Sequence, residues 1–128
     1  MLPFTVDFRP GEPVSEQVLY AVKKAIVTGR IAPGDRFPSV RVLSQELRIN
    51  PNTAHKIIGT LITEGALHVQ PGIGTVVAPP ATGSTEDRTV LLDDELERLI
   101  VEARRLGLDE VRVIAAVRKH WRKFPHQT

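Results

Sequence analysis

Apolar residues recur along the first half of the chain at two different periods. Phe4, Val6 and Phe8 alternate with polar neighbours, the pattern of a short strand or extended arm laid on a core, and Pro10-Gly11 ends it. From Val14 to Thr28, Val18, Leu19, Val22, Ala25 and Ile26 fall at spacings of three and four, which predicts an amphipathic helix stopped by Gly29. The stretch from Ile31 to Pro38 is turn-rich, and Ser39 then stands as the N-cap of a short helix through Leu47, with Val40, Leu43 and Leu47 on its core face. Asn50-Pro51 joins a capping side chain to a proline at the first helical position and so predicts a third helix. Its buried stripe is Ile57, Ile58, Leu61 and Ile62, it runs to Glu64, and Gly65 stops it. Leu67 to Val69 and Thr75 to Ala78 flank a glycine-bearing turn and read as a β-hairpin.

The run from Pro79 to Arg88 is rich in Pro, Gly, Ser and Thr and reads as a linker. Beyond it Leu92, Leu96, Leu99, Ile100, Ala103 and Leu106 form a sustained helical stripe ended by Gly107. Asp109 caps a last helix, with Leu108 and Val113 placed as a hydrophobic staple and Ile114, Val117, Trp121 and Phe124 along its apolar face. Two antiparallel helices cannot enclose a core, so these faces need another surface, and a second copy of the same pair supplies one. The expected dimerisation residues are Leu96, Leu99, Ile100, Ala103, Leu106, Ile114, Val117 and Trp121. The resulting fold class is mainly α with a small β-hairpin wing. A winged helix-turn-helix domain spans 1–78, a linker 79–88, and a helical dimerisation hairpin 89–128.

With 128 residues the chain holds one ordinary domain or two small ones, which excludes a multi-domain enzyme. It has no cysteine, so disulfides, thiolate metal sites and cysteine nucleophiles are impossible, a composition that suits a reducing cytoplasm. No apolar run approaches the roughly 18 residues of a membrane span, and the start lacks the features of a signal peptide, so a cytoplasmic protein with no membrane partner is expected. The formal net charge is only +2, so any footprint for a polyanion has to be local.

That footprint is expected on the third helix. A joint of about four residues between the second and third helices sets the third steeply across the second, the arrangement that presents a helix to the DNA major groove. Ile57, Ile58 and Leu61 commit one face to the core and leave Asn52, Thr53, His55 and Lys56 projecting near the helix start. Asn pairs with adenine edges, Thr contacts a thymine methyl or a phosphate, and Lys takes a guanine edge or a phosphate. The helix start itself favours a phosphate. Arg41, in the first turn of the second helix, is placed to clamp the flanking backbone, and Gly72 and Gly74 let the hairpin tip approach the duplex closely.

Each residue has a plainer role as well. Arg41 and Lys56 serve equally as solvated surface cations, Asn52 and Thr53 as decoration of a first helical turn, and Gly72 and Gly74 as turn formers alone. Their convergence on one face favours double-stranded DNA. A winged-helix protein-interaction module is the alternative from another class. His55, His68, His120 and His126 lack metal-ligand spacing, so no metal and no cofactor is expected. No carboxylate pair, nucleophile with base, or phosphate loop after a strand is present, so no enzyme is expected.

The stretch from Val14 to Ala78 resembles the winged helix-turn-helix of GntR-type bacterial transcription regulators. The residues that carry the resemblance are Gly29-Arg-Ile-Ala-Pro-Gly-Asp-Arg-Phe-Pro-Ser39, Leu43 with Leu47, Asn50-Pro-Asn-Thr53, Leu61-Ile-Thr-Glu-Gly65 and Gly72-Ile-Gly-Thr75. The short tail with Val101-Glu-Ala-Arg-Arg-Leu-Gly107 is similar to the YtrA subgroup. The resemblance implies a homodimer that binds an operator, usually as a repressor and often of a neighbouring transport operon. It also implies that Arg41 matches a DNA-contacting arginine and Gly72 a wing glycine. Many members carry arginines where this chain has Pro51 and His55, which shifts the implied contacts to Asn52, Thr53 and Lys56. No separate effector domain is expected, and an effector is left with the linker or a cleft between dimer helices, where Trp121 and Phe124 serve either as lining or as packing.

Overall fold

A computed structural model of the chain describes residues 1–80 and 83–124. They divide into two compact units on either side of the undescribed pair 81–82.

The first unit is built from α1 (Val14–Val27), α2 (Val40–Leu47), α3 (Pro51–Thr63) and a hairpin of β1 (Leu67–Gln70) with β2 (Gly74–Val77). Each helix forms where its local signals place it. Ser39 Oγ accepts a hydrogen bond from Val42 N at 3.2 Å, and Asn50 Oδ1 accepts one from Asn52 N at 2.8 Å, so two side chains satisfy amides that the helix geometry leaves free. Pro51 occupies the first turn of α3, where its missing N–H costs nothing. Gly29 and Gly65 follow α1 and α3 in the left-handed conformation that a helix stop requires. The core is closed by Val18, Val22 and Ala25 of α1, Leu43 of α2, Ala54, Ile57, Ile58 and Leu61 of α3, and Leu67 and Val77 of the hairpin. Val40, Leu47 and Ile62 are half-buried at its margin.

Two features of this unit sharpen the sequence expectation. Of the strand or extended arm expected at its start, the segment from Phe4 to Phe8 is the arm: Phe4 is buried and stacks on Phe37 with ring centroids 5.9 Å apart, while Phe8 is 44% exposed. Gln17 anchors the end of this arm, accepting from Arg9 N at 2.7 Å and donating to the carbonyls of Arg9 and Glu12 at 3.1 and 3.0 Å. These bonds satisfy backbone groups that a strand would have paired with a neighbour. The second lies in the connector before α2, which does more than turn. Gly34 N donates to Val77 O at 2.8 Å, Val77 N to Asp35 O at 2.8 Å and Phe37 N to Thr75 O at 2.9 Å, with a bridge between Arg36 and Val76. The hairpin thus gains a third edge that covers the backbone of β2.

The second unit contains α4 (Thr85–Thr89), a π-helical stretch (Val90–Glu95), α5 (Leu96–Arg105) and α6 (Glu110–Lys123), the first three forming one continuous rod. The last residues of the run read as a linker are therefore helical. Ser84 Oγ accepts from Asp87 N at 3.0 Å and Asp87 Oδ2 from Ser84 N at 3.2 Å, a reciprocal cap that starts the rod. The wider π turn also breaks the simple α-helical spacing assumed from Leu92 to Leu96. Asp109 caps α6, accepting from Arg112 N at 2.8 Å.

α5 and α6 follow one another through Leu106, Gly107 and Leu108. Many of their apolar residues remain open to solvent, Leu99 at 53% and Trp121 at 77%, with Leu96, Ile100, Leu106, Ile114 and Val117 also exposed. Ala103 is the exception, 6% exposed within the single chain.

Candidate nucleic-acid interface

α3 is sorted by burial into two faces. Ala54, Ile57, Ile58 and Leu61, at spacings of three and four, are buried, and they hold the helix against α1, α2 and β1. The opposite face carries Asn52, His55 and Lys56, all exposed. These positions are three and four residues apart, so one helix surface near the N-terminus brings an amide, an imidazole and an ammonium together. Thr53 is half-buried, because its direction lies between the two faces, and it has less reach than its neighbours.

The cap decides which asparagine is available. Asn50 spends its side-chain oxygen on Asn52 N, whereas among the described residues no hydrogen bond engages the side chain of Asn52. Lys56 forms no ion pair with any described residue. At the other end of the helix Glu64 is joined to Lys23 at 2.8 Å, so the one carboxylate closing α3 has a local counter-charge. Arg41 lies in the first turn of α2 with its side chain exposed and outside the core face.

Gly72 and Gly74 shape the hairpin tip with φ values of 79° and 115°. A Cβ at either would meet no atom within 4 Å, so the backbone angle and not crowding demands glycine here. The turn-forming role is therefore present whatever the tip touches.

Beyond the expected residues, the exposed face of α3 continues through Gly59, Thr60 and Thr63, uncharged and small. The same three-and-four spacing from Asn52 and Lys56 points to these positions. Arg48, exposed in the turn before α3, has no such signal in the pattern. Among the described residues no group of three or more His, Asp or Glu could hold a metal ion; His126 lies outside them. No helix among them is long and apolar enough to cross a membrane.

The family model for bacterial regulatory proteins of the gntR family matches residues 7–77, which takes in all three helices of the first unit and the hairpin. This chain belongs to the GntR family. Over 105 residues, 81% of each protein, the GntR chain is 32% identical to the HTH-type transcriptional repressor YtrA of Bacillus subtilis (strain 168). Its fold is similar to that of a transcriptional antiterminator from Listeria monocytogenes EGD-e, with a TM-score of 0.79 and 22% identity over 91% of this chain and 88% of the other. The DNA-binding domain of AraR in complex with operator ORX1 matches 58% of this chain and 95% of its own, with 30% identity and a TM-score of 0.51. The protein is a YtrA-like, DNA-binding transcription regulator with a winged-helix fold, and not an enzyme.

Proposed function

We propose that this GntR protein is a dimeric repressor that reads a two-fold symmetric operator with α3 of each subunit. The observation that carries the reading is the exposed Asn52, His55 and Lys56 surface, held outward by the buried face behind it and without side-chain partners among the described residues. Asn52 and Lys56 read base edges in the major groove, with His55 and the half-buried Thr53 beside them. Arg41 grips the flanking phosphates, and the tip of Gly72 and Gly74 approaches the neighbouring backbone.

The dimer rests on the second unit. Helices that leave Leu96, Leu99, Ile100, Leu106, Ile114, Val117 and Trp121 exposed present apolar side chains of the kind that association covers. A second copy of this chain is the occupant, because an identical pair of helices offers the complementary faces. The similarity to the repressor YtrA supports repression. By the same resemblance the operator lies ahead of the protein's own gene and a transport operon, and the site of action is the bacterial cytoplasm.

Selection of bound fragments from genomic duplexes, followed by footprinting, tests this. Protection of two half-sites related by a two-fold axis is the expected result. Protection of one half-site only, or a stable monomer by sedimentation at micromolar concentration, would overturn the layout.

A further inference from the structure

Between α2 and α3 the chain reverses through Arg48 and Ile49. The amides of both residues donate to the carbonyl of Ser44, Ile49 N at 3.1 Å, and this closure puts Arg48 at φ 55° and ψ 46°. Arg48 is the only residue other than glycine with positive φ among the described residues; Gly11, Gly29, Gly34, Gly65, Gly72, Gly74, Gly83 and Gly107 fill the remaining positions of that kind. A Cβ in this conformation costs stability that glycine does not lose, and asparagine tolerates it better than arginine. Local backbone energetics therefore speak against arginine at this point.

Its side chain has no local occupation to offset that cost. Leu47 and Ile49 on either side are half-buried against the core, while Arg48 between them is exposed and engages no hydrogen-bond or ion-pair partner among the described residues. It stands two residues before Asn50, the cap of α3, so the two Cα atoms are no more than about 7.6 Å apart. An unpaired, permanently charged fork beside the exposed tip of a DNA-reading helix matches a phosphate.

We propose that Arg48 binds a DNA phosphate flanking the groove that receives α3, and so sets the register of that helix on the duplex. The inference rests on α3 being the reading element, and the experiment separates the two.

Arg48→Gly, Arg48→Asn and Arg48→Lys are made in the full chain. Each is followed by thermal unfolding and by titration, across a salt series, of a duplex selected by the wild-type protein and of a random-sequence duplex. Arg48→Gly is expected to melt at or above the wild-type temperature, yet to lose affinity several-fold on both duplexes with a salt slope shallower by about one unit. Arg48→Lys keeps the wild-type slope. Arg48→Asn repeats the binding loss and carries the readout if the freer glycine turn lowers the melting temperature. Unchanged affinity and slope in the glycine and asparagine variants would overturn the proposal while leaving α3 in place. Loss confined to the selected duplex with an unchanged slope would overturn it too, since that is base reading and not phosphate binding. A wild-type chain that selects no duplex would remove the α3 reading and Arg48 with it.

Discussion

Lys56 and Arg41 make the same net charge do different work. Lys56 is exposed on α3 beside Asn52 and has no carboxylate partner among the described residues, so Lys56→Ala is expected to weaken binding most on the selected operator, because the proposed base-edge contact is lost along with a charge. Arg41 sits on α2, and Arg41→Ala is expected to weaken all duplexes alike and to flatten the salt dependence by about one unit, as measured by titration at several ionic strengths. Base contacts discriminate among sequences, whereas phosphate contacts do not. These side chains were legible in the sequence, since the apolar spacing of Ile57, Ile58 and Leu61 leaves few directions for the polar ones. Thr53 was less so. Its position near the edge of the apolar stripe gave no measure of how far the packed neighbours would cover it, and it is half-buried.

At the scale of the element, α3 carries two separable stability terms. Asn50→Ala removes the cap on Asn52 N and is expected to cost about 1 kcal/mol in denaturant unfolding. Gly59→Ala should act in the opposite direction. Gly59 is an exposed interior residue of the helix, a Cβ there meets nothing within 4 Å, and helix propensity then favours alanine by about 1 kcal/mol. A lowered melting temperature for Gly59→Ala would contradict this. The caps at Ser39, Asn50 and Asp109 were readable because a cap is a contact over two or three residues. The reciprocal cap of Ser84 and Asp87 has the same local basis but was hidden in a polar run whose composition resembles a linker. The edge made by Gly34 to Phe37 had no such signal. It pairs with β2, some forty residues on, and only the fold brings the two together.

For the whole molecule, the proposed dimer makes the second unit responsible for how many reading helices meet the duplex. Ile114 is already exposed in the single chain, so Ile114→Asp leaves that chain's own core intact and is expected to shift sedimentation from dimer to monomer. Operator affinity should fall with it by orders of magnitude, because two tethered half-site contacts act at a high effective concentration and one does not. An Ile114→Asp protein that remained dimeric with unaltered affinity would place the subunit contact elsewhere.

The sequence by itself determined the helices of the first unit, the caps of α2 and α3, the hairpin and the outward face of α3, because these depend on residue periods and on contacts between near neighbours. Only the tertiary structure decided that Phe4 is a core residue while Phe8 is not, that the connector before α2 lines the hairpin, and that in the second unit Ala103 is covered and Trp121 bare. Those outcomes turn on which distant segments meet. An alternating or helical pattern specifies that a face is apolar but not which surface will cover it.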